Sequence, residues 1–381
     1  MKLIVPKETR DGEKRVALVP ESVKKLVKAG VSVTIEPGSG AGSFLDDRSY
    51  VEAGATVATD LKAALSEADF VLKVNPPTTG EVDLMRPGAM LLAAFTPSRN
   101  LDLVRKLVER KVTAFSTDAI PRITRAQAMD VLSSMASIAG YKAVIMAADA
   151  LPRYFPMLMT AAGTVLPARV FIIGAGVAGL QAIATARRLG AVVEATDTRP
   201  AVRTEIESLG AKFVGVEAGE EAQDAGGYAK KLSEEFYRKQ GELIAKHCAG
   251  ADVVITTALI GGVTAPKLIT AEMVDKMKPG SVIVDLAAPG GGNCTLTKPG
   301  ETVEHNGVKI LAPLNLPSEV AFHGSLLYSR NLTAFVMAFW KDGAFALDLS
   351  DDILKEATIT HDGKVIHIPT AQALEKEGAR P

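Results

Sequence analysis

Apolar and polar positions alternate along the first third of the chain in a pattern that predicts strands separated by helices. Short apolar runs at residues 2–6, 31–36 and 90–95 predict buried strands, and the amphipathic stretch at 20–30 predicts a helix that ends at Gly30. Strand–helix alternation is typical of a parallel sheet covered by helices.

A second alternation of the same kind begins near residue 168, after a segment with helical periodicity at residues 124–151. The pattern becomes helical again near residue 319, and the tail shows a hairpin signal at Asp362-Gly363. We therefore predict an α/β protein of two Rossmann-like domains with parallel sheets, joined by long helices. The first domain is expected at 1–130 plus 325–381, and the second at 131–324.

Composition narrows the class of protein. The 381 residues are 47% apolar and 23% charged with a net charge of −1, as in ordinary globular proteins, and no basic tract suggests nucleic acid. The two cysteines form no C-x-x-C pair, so neither a zinc site nor a disulfide framework is predicted. Glycines interrupt the apolar stretch at 170–186, which favours strand, turn and helix over a membrane span.

The strongest local motif is a glycine-rich loop after a predicted buried strand. Gly174, Gly176 and Gly179 have the G-x-G-x-x-G spacing, and the helix that follows begins near Val177. In dinucleotide-binding folds the first glycine permits the turn, the second lets the backbone approach a pyrophosphate, and the third permits close helix packing. The helix N-terminus then faces the phosphates, so we predict a bound dinucleotide.

The residues after the next strand bear on which dinucleotide binds. Asp197 stands where a carboxylate accepts hydrogen bonds from the ribose 2′-hydroxyl and repels a 2′-phosphate, which favours NAD over NADP. Arg199, beyond Thr198, complicates this choice because an arginine can bind a 2′-phosphate.

Two further loops are candidate parts of the same site. Ala258 and Leu259 follow another predicted strand of the second domain, at the sheet edge where nucleotides bind, although they can equally be a plain loop. Gly227 is the second of two adjacent glycines and is followed by Tyr228. The two glycines are either a hinge that lets Tyr228 close over the site or part of an ordinary surface loop.

Residues for acid–base chemistry are not evident. None of the five histidines lies in a recognisable catalytic setting, and His361 and His367 are expected at the surface. Arg15 and Lys73 can each bind a carboxylate or be solvated bases beside a strand. The segment 121–134 is either part of a site or a solvated helix start. In the second interpretation Thr124 and Gln127 form a capping box, and Asp130 is a favourable acid in the first helical turn.

Several motifs together resemble the alanine dehydrogenase and transhydrogenase superfamily over nearly the whole chain. The resemblance is closest to the NAD(H)-binding domain of the proton-translocating transhydrogenase alpha subunit. It rests on "VPKETRDGEKRVALVPE", "LKVNPP", "GAGVAGLQAIATARRLGA", "MKPGSVIVDLA" and above all "RITRAQAMDVLSS".

The resemblance also separates the two branches. Alanine dehydrogenases hold substrate with an arginine and a lysine, matched by Arg15 and Lys73, and use a histidine and an aspartate near the reacting carbon. Here the histidine position falls near Ala94 and the aspartate position near Pro289. Amino-acid dehydrogenation of the alanine type is therefore kept only as the alternative function.

For the site, the resemblance implies roles residue by residue. It places Arg122, Gln127, Asp130, Ser133 and Tyr228 at the reaction centre. The implied cofactor-binding set is Arg122, Arg125, Gln127, Gly174, Gly176, Val177, Gly179, Asp197, Thr198, Arg199, Gly227, Ala258 and Leu259. No metal is implied.

The implied reaction is direct hydride transfer between two nicotinamide rings, for which no acid–base residue is needed. One glycine fingerprint implies NAD(H) here and NADP(H) on a partner. The implied assembly is a homodimer that joins an NADP(H)-binding beta subunit and a membrane-spanning subunit where protons move. The implied location is the cytoplasmic face of the plasma membrane, held there through partners.

Overall fold

A computed structural model describes residues 1–216, 233–259 and 264–378. The strands are β1 Lys2–Val5, β2 Ser32–Ile35, β3 Thr56–Val57, β4 Phe70–Leu72, β5 Met90–Ala93, β6 Thr113–Ser116, β7 Leu158–Thr160, β8 Gly163–Val165, β9 Arg169–Ile173, β10 Val192–Thr196, β11 Lys212–Phe213, β12 Val253–Thr256, β13 Val282–Asp285, β14 Thr302–His305, β15 Val308–Leu311, β16 Trp340–Lys341, β17 Ala344–Phe345, β18 Thr358–His361 and β19 Lys364–Val365.

The helices connect these strands in the predicted order. They are α1 Pro20–Lys28, α2 Asp47–Glu52, α3 Leu61–Glu67, α4 Thr79–Leu84, α5 Leu101–Glu109, α6 Val131–Ala150, α7 Val177–Arg188, α8 Val202–Ser208, α9 Glu234–Gly250, α10 Ala271–Asp275, α11 Leu316–Glu319, α12 Ala321–Ala338, α13 Asp352–Ala357 and α14 Ile368–Gly378.

The chain forms two compact units. The first comprises residues 1–135 and 318–381, and the second residues 136–317. Helix α6 runs across the first change of unit along the chain. Helix α12 belongs to the helical stretch that was expected to return the chain to the first domain. It lies within the first unit, and its buried side chains Tyr328, Leu332 and Phe335 belong to that unit's core.

The first unit is built on an eight-stranded sheet of order β19-β18-β6-β5-β4-β1-β2-β3. Strands β1 to β6 are parallel, whereas β18 and β19 add antiparallel pairs at the β6 edge. Successive residues of β1 alternate between two cores, with Leu3 and Val5 in one and Ile4 in the other. The sheet is therefore covered on both faces, as its continuous apolar strands predicted.

The second unit has a seven-stranded sheet of order β11-β10-β9-β12-β13-β15-β14. Its pairs are parallel except for β14 with β15. The strand order reverses at β9, which has β10 on one side and β12 on the other. Such a reversal opens a crevice at the carboxyl ends of the strands, where ligands of α/β sheets bind.

The predicted α/β class is confirmed, with corrections of detail. Both sheets are parallel-dominated rather than wholly parallel. The expected single helix from residue 124 is a 3-10 segment, Thr124–Met129, followed by α6. The hairpin at Asp362-Gly363 is present, and both residues have the positive φ (51° and 73°) that its tight turn requires.

One described helix is long and apolar enough to cross a membrane, and it is α6 rather than the stretch at 170–186. Residues 170–186 form part of β9, the glycine loop and most of α7. Length and composition are weak indicators, because core helices share them. Ala143, Val144 and Ala147 of α6 are buried in the core of the second unit.

Candidate functional site

The glycine loop lies at the reversal of strand order in the second unit. Gly174 follows β9 with a φ of +95°, and a side chain there would collide with the hydroxyl of Thr257. A Cβ on Gly179 would collide with the carbonyl oxygen of Gly174, because α7 packs directly on the loop. The fold itself therefore requires glycine at both positions.

Gly176 differs from its two neighbours. It caps the N-terminus of α7 with φ −75° and ψ −169°, a backbone conformation that any residue adopts. A Cβ built on it meets nothing within 4 Å. The open space in front of this residue is what a loop needs if its backbone is to approach a pyrophosphate, and Val177 begins the helix beside it.

Asp197 lies directly after β10, at the same sheet edge. Its carboxylate accepts a hydrogen bond from the backbone N–H of Ala175 at 2.8 Å, which fixes it beside the glycine loop. Arg199 donates to it from the backbone N–H at 2.9 Å and from the guanidinium at 2.9 Å. Thr198 is the half-buried residue between them.

Electrostatics keep Asp197 ionised. Burial by itself would raise the pKa of its carboxyl, but the hydrogen bonds and charge of Arg199, with the N–H of Ala175, more than offset burial and lower that pKa. A carboxylate anchored in this way can accept hydrogen bonds from ribose hydroxyls at physiological pH.

A third loop follows β12 at the neighbouring strand end. Thr257 donates a hydrogen bond to the carbonyl of Gly174 at 3.0 Å, which ties the two loops together. Ala258 and Leu259 follow, both half-buried, at the carboxyl edge where the sequence placed them.

Asn293 holds this third loop and was missed by sequence reasoning. Its fully buried amide accepts from the N–H of Ala258 at 3.1 Å and donates to the carbonyls of Ala258 at 2.9 Å and Pro266 at 2.8 Å. The run "GGGN" signalled only a turn, and nothing local to it indicates a partner in another loop.

Asp285 was also missed. It ends β13 and accepts hydrogen bonds from the hydroxyls of Thr256 at 2.9 Å and Thr297 at 2.6 Å. An acidic residue at a strand end was read as functional at Asp197, and the same signal is present here. The side chain of Asp285 is fully buried and all its described hydrogen bonds are to groups of the chain. It therefore stabilises the loops and is not exposed to a ligand.

The segment from Arg122 to Ser133 belongs to the first unit. Its 3-10 turn buries Ala126 and Met129, and Asn331 of α12 donates to the carbonyl of Ala128 at 2.8 Å. The segment is thus anchored to α12 through Asn331, while the side chains of Arg122 and Gln127 are exposed to solvent.

The capping-box interpretation of this segment is wrong. The 3-10 turn follows Ile123, and its first residues include no side-chain cap hydrogen bond from Thr124 or Gln127. Asp130 is not an acid inside a first turn either. It precedes α6 and accepts from the N–H of Ser133 at 2.8 Å and from its hydroxyl at 2.6 Å, so it caps that helix.

Arg125 has a partner within the first unit. Its guanidinium donates two hydrogen bonds to Asp351 at the start of α13, at 2.6 and 3.0 Å. Asp351 is thereby tied both to α13 and to the 3-10 turn, because it also caps α13. The pair fastens the segment to the rest of the unit.

Arg15 and Lys73 are not solvated bases. They lie in an ion-pair cluster of the first unit, whose members are Glu8, Glu13, Arg15, Lys73, Asn75 and Glu81. Lys73 is 1% exposed and lies 2.8 Å from Glu81 and 3.9 Å from Glu8, measured from Nζ to the carboxylate. Arg15 donates to both oxygens of Glu13 at 2.7 and 2.6 Å.

The charges of this cluster are held internally. Burial would raise the pKa of Glu13, yet the hydrogen bonds and charge of Arg15, with the Asn75 amide, lower that pKa to about 2. Burial raises the pKa of Glu8, against the charge of Lys73. Both cations already have carboxylate partners supplied by the chain.

The remaining predicted residues divide by location. Gly227 and Tyr228 lie outside the described residues. His361 and His367, expected at the surface, are half-buried and share hydrogen bonds with Thr113 at 3.0 Å and Thr370 at 2.7 Å. Within the described ranges no group of three histidine, cysteine or acidic side chains can hold a metal.

Known proteins match this chain along its length. Residues 4–139 match the family described as "Alanine dehydrogenase/PNT, N-terminal domain", and residues 143–368 match "Alanine dehydrogenase/PNT, C-terminal domain". An NAD(P) transhydrogenase subunit alpha chain of Rhodospirillum rubrum is 50% identical over 388 residues, which cover 100% of each chain.

A solved structure, the transhydrogenase from Sinorhizobium meliloti, matches with a TM-score of 0.88 and 46% identity, over 96% of this chain and 100% of that one. An alanine dehydrogenase of Methanococcus maripaludis is 29% identical over 97% of this chain and 95% of its own length. The resemblance inferred from the motifs is confirmed: this chain belongs to the alanine dehydrogenase/PNT family and is more similar to these transhydrogenases than to this alanine dehydrogenase.

Proposed function

We propose that this chain is the NAD(H)-binding component of a proton-translocating transhydrogenase. In this role it binds NAD(H) at the glycine loop, and the second nucleotide, NADP(H), is held by a partner beta subunit. When bound, the dinucleotide supplies the hydride that passes between two nicotinamide rings. The observation that carries the proposal is the open space at Gly176, between two glycines that the fold itself requires.

The residues of the second unit fit an NAD(H) ligand. The N-terminus of α7 at Gly176 and Val177 offers N–H groups and the positive end of a helix dipole to the phosphates. Asp197 offers an oriented carboxylate to the adenosine ribose. Thr198, Ala258 and Leu259 line the same sheet edge, where Asn293 fixes the last loop.

The segment of the first unit is proposed to serve the nicotinamide and its ribose. Gln127 lies exposed on the anchored turn and Arg122 lies exposed just before it, and Asp130 with Ser133 fixes the start of α6. Arg125 holds that turn in place through Asp351. Gly227 and Tyr228 belong to the proposed set and lie outside the described residues.

The alternative, an alanine-type dehydrogenase, receives less support. That activity needs free cations for a substrate carboxylate, and Arg15 and Lys73 are both engaged by carboxylates of the chain. It also needs a proton-transfer residue near the reacting carbon, where this sequence has Ala94 and Pro289. Hydride transfer between nicotinamides needs no such residue.

The relative from Rhodospirillum rubrum is named as an alpha subunit, which supports an assembly with further subunits. We propose a homodimer of this chain, bound at the cytoplasmic face of the plasma membrane by a membrane-spanning subunit. Sedimentation of the purified chain tests the dimer. Fractionation of cells with and without the partner genes tests the location, and membrane association without those partners would contradict it.

The decisive experiment measures three activities of the purified full-length chain. We expect saturable NADH binding and no NADH oxidation with pyruvate and ammonia. Addition of an NADP(H)-binding transhydrogenase beta subunit should then start hydride transfer from NADH to an NADP analogue. Gln127→Ala should slow that transfer at least tenfold, because the nicotinamide loses a contact. Pyruvate-dependent turnover by the chain alone would favour the alternative.

A further inference from the structure

The carboxylate of Asp197 is already paired before any nucleotide is considered. The guanidinium of Arg199 donates to both of its oxygens, from Nε and Nη2 at 2.9 Å each. The side chain of Asp197 is 7% exposed and that of Arg199 is 20% exposed. This is a two-point fork between a planar cation and a planar anion, and it is partly withdrawn from water.

Two backbone N–H groups hold the same carboxylate in place. The N–H of Arg199 donates to Asp197 at 2.9 Å, which turns the chain so that the two side chains leave on the same side. The N–H of Ala175 holds the other carboxylate oxygen at 2.8 Å. The guanidinium is therefore held at the sheet edge where the adenosine ribose of a dinucleotide would lie.

We propose that Arg199 determines nucleotide specificity as a latent 2′-phosphate-binding residue that Asp197 keeps occupied. This inference rests on the proposed function and refines its choice of NAD(H). Asp197 would then reject NADP(H) twice, by repelling the 2′-phosphate and by engaging a cation placed to bind it. A planar guanidinium is well suited to bind a phosphate through two hydrogen bonds. Here those donors already bind the carboxylate of Asp197 in the same loop.

A second arginine nearby is directed elsewhere. The guanidinium of Arg203, at the start of α8, stacks over the ring of Phe213 at 4.9 Å from its centroid. Glu205 adds a further negative charge that acts on Arg199. The charges of Asp197 and Glu205 thus both oppose a phosphate beside Arg199.

A double-mutant cycle on the full chain tests the proposal, with NADH and NADPH binding measured by calorimetry. Asp197→Asn removes the charge at nearly constant shape and takes the carboxylate partner away from Arg199. We expect NADPH affinity to rise about tenfold or more, as for a gained hydrogen bond between charged groups, and NADH affinity to fall. Asp197→Asn with Arg199→Gln should lose most of that NADPH gain.

An equal NADPH gain with and without Arg199 would overturn the proposal, because repulsion by Asp197 alone would then set the preference. Arg199→Gln in the wild-type background gives an independent arm. It leaves an uncompensated carboxylate, so the ratio of NADH to NADPH affinity should rise several-fold, and an unchanged ratio also overturns the proposal. This arm remains informative if Asp197→Asn does not fold, which circular dichroism reports.

Failure of the proposed function gives a different result. If the wild-type chain binds NADPH as tightly as NADH, or binds neither, the assignment of NAD(H) to this loop fails before any variant is compared. If the wild type prefers NADH but the cycle shows no coupling between the two residues, only the role of Arg199 fails. Arg199→Lys, made together with Asp197→Asn, is the matched control. It keeps the positive charge but not the two-point geometry of the guanidinium, so it should retain only part of the NADPH gain of Asp197→Asn.

Discussion

The ion-pair cluster of the first unit and the glycine loop of the second differ in how much space they leave for a ligand. In the cluster, every charge meets a partner from the same chain, and Lys73 is almost wholly buried. At the loop, Gly176 faces open space that no described side chain fills. The contrast lies in the space that is left: the cluster closes on its own charges, whereas the loop keeps open space at Gly176, where we propose that the ligand binds.

This contrast also bears on the branch of the family. Arg15 and Lys73 match positions that hold substrate in the alanine dehydrogenase branch, yet Glu13 and Glu81 occupy their charges here. A matched residue type therefore does not imply a matched role.

The strongest expected effect comes from removing the central cation of the cluster. Lys73→Met should lower the free energy of unfolding by about 3–5 kcal/mol, because Glu81 and Glu8 lose a buried partner. NADH affinity of the folded variant should not change. Urea unfolding and NADH titration measure the two quantities.

The matched control for this variant is Lys2→Met. Lys2 pairs with Glu67 in an ion pair whose side chains are 63% and 65% exposed, so its loss should leave the free energy of unfolding nearly unchanged. Similar losses from the two variants would mean that the cluster is not the closed structural site described above. A large fall in NADH affinity for Lys73→Met would point the same way.

The next effect is a dependence on pH. The pKa of Glu13 is lowered in the folded chain to about 2, below its ordinary value of 4.5, so its stabilising contribution is present above pH 4.5 and is lost as pH falls towards 2. Glu13→Gln should therefore be less stable than wild type by about 3 kcal/mol at pH 6, with the gap closing in acid.

Denaturant unfolding of both proteins from pH 6 down to pH 3 measures this gap. The comparison cancels the titration of the other carboxyls, which both proteins share. A gap that stays constant with pH would show that Glu13 acts by shape and not by charge.

The smallest effect on stability, and the sharpest on binding, comes from the glycine loop. Gly179→Ala should cost about 1–3 kcal/mol of stability, since its methyl group collides with the Gly174 carbonyl. Gly176→Ala should change stability by less than about 1 kcal/mol but weaken NADH binding at least tenfold, because the methyl group fills the ligand's space.

Thermal unfolding and NADH titration of both variants test the glycine pair. Undiminished NADH affinity of Gly176→Ala would show that the open space at Gly176 does not hold the ligand, and the proposed function would lose its main support. A Gly179→Ala protein of unchanged stability would show that α7 can withdraw from the loop.

The sequence predicted most of what local pattern controls. Apolar runs located the strands, and the glycine spacing with Asp197 predicted the sheet edge at which we propose that the dinucleotide binds, because these signals lie within one strand–turn–helix unit. The hairpin at Asp362-Gly363 was predicted from its turn, but its pairing with β6 was not, since a hairpin pattern carries no information about the neighbouring strand.

Partners that come from distant parts of the chain could not be predicted. Lys73 stands at the end of a strand whether it is solvated or buried, and only the fold brings Glu8 and Glu81 to it. Asn293 follows three glycines in a turn-like run, and its bonds to Ala258 depend on two loops meeting. Sequence periodicity describes one element at a time, whereas such contacts depend on tertiary structure.

The antiparallel addition of β18 to β6 has a consequence for synthesis on the ribosome. Strand β6 is made early, but the neighbour that completes its edge comes from residues 358–361, more than two hundred positions later. The second unit lies between them as one continuous stretch, 136–317. It can therefore fold during translation while the nascent first unit still has an unpaired strand edge, which makes that interval the one in which chaperones would matter most.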